Sequence, residues 1–81
     1  MYPVTDIIDQ EIKVDDFVVF YSNIYRVKLA NPTKQASGSG MVRMKLIDPS
    51  PTTKTVAKYS KALCKLDEHA VTMWMLKKGY Q

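Results

Sequence analysis

Apolar and polar residues alternate most cleanly along residues 24–30 and 41–47. In the first stretch Tyr25, Val27 and Leu29 fall on one side and Ile24, Arg26 and Lys28 on the other; in the second, Val42, Met44 and Leu46 oppose Arg43 and Lys45. A period of two predicts strands with one buried face. Residues 17–21, aromatic and β-branched, form a further strand ahead of them. Ser22-Asn23 has the length of a tight hairpin turn, and Asn tolerates positive φ. Residues 54–59 predict a fourth strand, although Val56 falls in phase with Lys54 and Lys58. The run "SKALCKL" offers a short turn and a brief fifth strand. Two loops separate these pieces: residues 31–40, rich in Gly and Ser and predicted mobile, and residues 48–53, held by two prolines.

The two ends read differently. Residues 1–16 are a mixed, acidic lead-in: Ile7, Ile8 and Ile12 share a helical face, while Ile12 and Val14 alternate. One helical turn followed by a short strand is expected there. Asp15-Asp16 reads as a turn into the next strand rather than the start of a metal site. Residues 67–78 predict a helix, with Asp67 as N-cap, Glu68 in the first turn, two lysines in the last and Gly79 as its stop. At 100° per residue Ala70, Val71, Trp74 and Met75 share the packed face, with Trp74 anchoring the core. Met73 and Leu76 are left outside.

Four or five short strands joined by hairpins, with one terminal helix, make a mostly β domain of 81 residues. An open sheet of this size exposes its edges, and closure into a small antiparallel barrel removes them. The stretch "IKVDDFVVFYSNIYRVKLA" resembles the opening of SH3-like small barrels, including KOW- and Tudor-type modules. The resemblance lies in Val14, Asp15, Asp16, Phe17 and Val18, then Tyr25, Arg26 and Val27, and covers residues 12–66 at most. Asp15 stands where those modules carry a glycine. The resemblance implies a five-stranded SH3-like barrel over residues 17–66, of a kind found in short bacteriophage proteins.

Charge sharpens this picture. The net charge is +4. Residues 1–16 carry Asp6, Asp9, Glu11, Asp15 and Asp16 against Lys13, whereas residues 17–66 carry nine cations against Asp48 alone, a net +8. Such asymmetry favours an anionic partner. No apolar run approaches the ~20 residues of a membrane span. The N-terminus has no basic stretch leading into an apolar one, so no signal peptide is expected. Cys64, the single cysteine, rules out an internal disulfide and fits the cytoplasm.

Catalytic chemistry finds little footing. Cys64 in "ALCKL" suits a small buried group, and His69, the single histidine, suits an exposed first helical turn. One Cys and one His cannot build a structural zinc site, and "SGSG" lacks the Lys-Ser/Thr of a phosphate loop. No enzyme activity, metal or cofactor is expected. The basic strands are the stronger signal. Arg26, Lys28, Arg43 and Lys45 fall on one outer face, and Lys54 and Lys58 extend it; Tyr21 or Tyr59 could flank it as a stacking surface. The expected function is therefore nucleic-acid binding through phosphates, with little sequence specificity. The alternative is a phage-type accessory protein that binds and modulates a host protein. Its surface would be Met73 and Leu76, or the same basic strip on an acidic partner. A lysine-rich solvated face is the plain structural reading of the same pattern.

Overall fold

Five antiparallel strands form one sheet in the order β4-β3-β2-β1-β5, and one helix follows. The strands are β1 (Phe17–Phe20), β2 (Asn23–Leu29), β3 (Met41–Asp48), β4 (Thr55–Tyr59) and β5 (Cys64–Lys65). A 3₁₀ turn, Ser60–Ala62, joins β4 to β5, and α1 spans Glu68–Lys78. The computed structural model describes residues 1–48 and 50–78, Lys78 by its backbone only. Pro49 and Gly79, read above as a loop proline and the helix stop, lie outside the described residues.

One face of the sheet supplies most of the core. Val18, Tyr25, Val27, Val42 and Met44 are buried with Leu63, and Phe20, Ala30 and Leu46 pack against them. The remaining core members are Val4 and Ile12, from the acidic N-terminal segment. That segment is neither a helical turn nor a strand. It is a strap that doubles back on itself: Asp6 N–H donates to Gln10 O (2.9 Å) and Ile12 N–H to Val4 O (3.0 Å). Ile7, Ile8 and Val14 are exposed, so the helical face expected of the first two does not form.

A buried carboxylate closes the strap. Asp6 is inaccessible to solvent. Its Oδ1 accepts from the backbone N–H of Ile8 (3.0 Å) and Gln10 (2.8 Å); its Oδ2 accepts from Gln10 Nε2 (2.9 Å) and Lys65 N–H (2.7 Å). Burial alone would raise its pKa, but these bonds to the ionised form outweigh it and hold the group below the ordinary carboxylate range. Ile7 N–H also donates to Leu63 O (3.0 Å). The strap thus covers the outer side of the two-residue β5 and blunts that edge of the sheet.

Other details depart from the sequence pattern. The hairpin turn falls at Tyr21-Ser22, one residue early, because Tyr21 takes the left-handed conformation (φ 56°) with its ring edge-on to Phe20 at 4.6 Å. Asp15 also has positive φ (73°), which Asp tolerates. Asp16 caps this turn through Lys13 N–H (2.7 Å), so Asp15-Asp16 is the expected turn. The register of β2 on β3 slips between Val27 and Leu29, and Leu29, expected inside, is exposed. The 31–40 loop, expected to be mobile, is held by hydrogen bonds: Tyr2 and Thr33 exchange two backbone bonds of 2.8 Å, and Gly38 O accepts from Thr5 N–H (2.9 Å) and Ser60 Oγ (3.0 Å). A Cβ on Gly38 (φ 83°) would strike the Thr5 side chain, so this contact needs glycine.

The helix follows its sequence signals. Asp67 Oδ1 accepts from Ala70 N–H at 2.7 Å, an N-cap bond. Ala70, Val71, Trp74 and Met75 are half-buried, and Met73 and Leu76 are exposed. Trp74, however, is not in the core. Its ring lies 5.7 Å from that of Phe17, which is paired with Arg26 on the opposite side of the sheet from Val18. The helix therefore covers the outer face of β1.

Candidate nucleic-acid interface

Residues directly opposite in an antiparallel pair lie on the same face. Phe17 opposes Arg26, Arg26 opposes Lys45, and Lys45 opposes Thr55, so these four form one row across β1–β4. Arg43, two residues before Lys45, shares that outer face and opposes Ala57 on β4. On the other flank Arg43 opposes Leu29, and the register slip leaves Lys28, also exposed, beside it. The four cations read from alternation on β2 and β3 are thus brought together.

Lys58 does not join them. It opposes Val42, and Val56 opposes Met44, so the phase of β4 sets Lys58 on the side of the core. Its Nζ lies 5.0 Å from the Phe20 ring centroid, a cation–π contact. The alternation of β4 alone could not decide its face; the register with β3 does. Lys54 is exposed in the loop just before β4. Tyr59 opposes Met41 at the far end of β4, and Tyr21 is at the hairpin turn.

The acids of the N-terminal segment neutralise part of the positive charge. Asp15 pairs with Arg26 (3.3 Å), Asp9 with Lys61 (2.7 Å) and Asp16 with Lys65 (3.3 Å). Three of the nine cations in residues 17–66 are paired in this way. Lys28, Arg43 and Lys45 have no carboxylate partner among the described residues. Arg26 has two neighbours: the Phe17 ring centroid, 5.8 Å from its guanidinium, and the Asp15 carboxylate, 3.3 Å from its Nε. Opposed like charges such as Arg26 and Lys45 destabilise a pair of strands by a few tenths to ~1 kcal/mol, which the Asp15 contact relieves.

Beside this row is an apolar recess of about 250 Å³ lined by Phe17, Ile47, Pro51, Trp74 and Met75. Residue patterning did not mark it as a site, although one signal was present. The strand "FVVF" is apolar at every position, and a strand without alternation has both faces covered. Across the helix a second cleft is lined in part by Asp15, Asp16, Lys65 and Glu68, a carboxylate-rich wall that disfavours an anion.

Cys64 is half-buried, its Sγ 3.8 Å from Lys65 O, and His69 is exposed. Among the described residues no three His, Cys, Asp or Glu side chains gather so as to hold a metal ion, and no helix is long and apolar enough to cross a membrane. Comparison with protein-family models, curated proteins and solved structures finds no match to this chain.

Proposed function

We propose that this chain is a small non-enzymatic binding module of SH3-like build that holds nucleic acid on the outer face of β2 and β3. The carrying observation is the placement of Arg26, Arg43 and Lys45 on one face, with Lys28 at its margin and with three of the four lacking a carboxylate partner among the described residues. Thr55 and Ala57 continue the face across β4 with small side chains, leaving room for a chain to lie across the strands. Contacts of this kind neutralise phosphates and carry little base information. In support of the SH3-like build, β5 returns beside β1, and the two edge strands, β4 and β5, are joined through the short 3₁₀ corner from which a barrel would close.

The test is fluorescence anisotropy of labelled single strands and duplexes over a salt series. Engaging about four phosphates gives a log–log slope of roughly −2.8 on single strands and roughly −3.6 on duplex. Replacing Arg43 and Lys45 together by Ala should weaken binding and flatten the slope by roughly 1.4 on single strands. The pair Lys34→Gln with Lys58→Gln makes the same change in net charge off that face, and should leave the slope nearly unchanged. Equal effects from the two pairs would reduce the interface to general net charge. The second reading, a protein partner on α1, is favoured by the exposure of Met73 and Leu76. Met73→Asp should leave nucleic-acid binding intact.

A further inference from the structure

We infer that the recess between Phe17 and Trp74 receives an unstacked nucleobase, so that the ligand of the cationic face is a single strand rather than a duplex. This rests on the nucleic-acid reading above and adds the ligand's form. Three observations carry it. The recess has two aromatic walls, Phe17 and Trp74, whose rings meet at 51° and cannot lie flush against each other. Its volume, about 250 Å³, is below the usual range for a drug-sized molecule and suits one flat ring system. It is continuous with the cations: Phe17 opposes Arg26, Arg26 opposes Lys45, and Ile47 follows two residues after Lys45. Ile47 is the residue left without a partner where β3 slips against β2, and such slips re-aim side chains.

Charge complementarity selects the occupant. An apolar recess alone would suit many groups, but this one adjoins Arg26 and Lys45, with Arg43 beyond them. The acids nearest in the chain and pairing scheme are Asp15, paired with Arg26, Asp16, which precedes Phe17 and is paired with Lys65, and Asp48 next to Ile47; Glu68 lines the second cleft, which shares Phe17. A strand whose phosphates follow the cations while one base turns into the recess satisfies both surfaces. Aromatic platforms beside a basic track are the general means of holding single strands, because every base has a π-face. A duplex keeps its bases stacked and could use only the phosphate part.

Trp74 is the single tryptophan, so its emission reports on the recess directly. The probes are a short labelled DNA strand, its duplex and an abasic strand of equal length. The normal strand should quench Trp74 and bind about tenfold tighter than the abasic one, the effect of one stacked base. Phe17→Leu should remove most of that preference while retaining the salt slope. Met75→Ala is the second variant should Phe17→Leu fail to fold, as judged by circular dichroism, and should weaken quenching and the preference together. Equal binding of normal and abasic strands with unchanged Trp74 emission overturns the base inference and leaves the phosphate interface standing. Preference for duplex with unchanged emission does the same. If none of the three probes binds at low salt, the nucleic-acid reading itself falls, and this inference with it.

Discussion

Asp6 and Asp15 belong to the same acidic segment, yet their environments assign them opposite roles. Asp6 is inaccessible, ionised and held by four hydrogen bonds from Ile8, Gln10 and Lys65. Asp6→Asn would set an amide N–H₂ against N–H donors, and should cost about 2–3 kcal/mol, measured by urea unfolding at neutral pH. The pH dependence follows from the lowered pKa. A depressed carboxylate stabilises the fold above its unfolded pKa of about 4, and that stability is lost as pH falls through the still lower folded value. Wild type should therefore lose stability more steeply than Asp6→Asn as the pH falls below about 4; parallel curves would show that Asp6 does not carry the linkage. Asp15 is exposed and sits on Arg26. Asp15→Asn keeps a side chain that tolerates positive φ, and frees Arg26. It should strengthen binding of a single strand at low salt by a few-fold and change stability by less than ~1 kcal/mol, as exposed ion pairs do. Weaker binding would mean that Asp15 orients Arg26 toward the ligand.

At the scale of elements, the clearest parts of the sequence were those whose pattern is self-contained. The phase of β3 and the face of α1 need only their own residues, and Val42, Met44, Trp74 and Met75 all lie on the expected sides. Where a side chain's face depends on a distant partner, local pattern is not enough. Leu29 turns outward because β2 slips on β3, and Lys58 points to the core side because β4 is registered on Val42. Burial of Asp6 depends on Lys65, 59 residues away, which no local periodicity encodes. The cationic face was legible for the four residues of β2 and β3, and the recess beside it was not, since Phe17, Ile47 and Trp74 meet only in three dimensions. The helix offers a direct check on its phase. Trp74 is half-buried against Phe17, so Trp74→Ala should cost roughly 2–3 kcal/mol, less than the ~3–5 kcal/mol of a fully buried aromatic. Met73→Asp, on the exposed side, should shift the urea midpoint scarcely at all. The reverse order of effects would place the helix in another rotation.

For the whole molecule, the N-terminal strap decides whether the open five-stranded sheet is a stable domain. An 81-residue chain has a small core and little reserve. Of the eight buried hydrophobic residues among those described, Val4 and Ile12 come from the strap, and both are essentially inaccessible. Each contributes on the order of 1.5–3 kcal/mol by burial. The strap also supplies the Asp6 carboxylate to Lys65, the Thr5 and Asp9 oxygens to Lys61 (both 2.7 Å), and the backbone of Tyr2 to Thr33. It thus ties together β5, the 3₁₀ corner and the 31–40 loop. Together these contributions rival the ~5–15 kcal/mol net stability of a typical domain. Deleting residues 1–12 should therefore abolish the cooperative unfolding transition, even though all five strands and the helix are retained in sequence. The measurement is urea denaturation followed by Trp74 fluorescence and by far-ultraviolet circular dichroism, with the full chain alongside. The truncated chain should show a broad, probe-dependent change rather than one shared midpoint. A sharp coincident transition near the wild-type midpoint would mean that the sheet and helix fold without the strap. Its acids would then act chiefly by neutralising Arg26, Lys61 and Lys65.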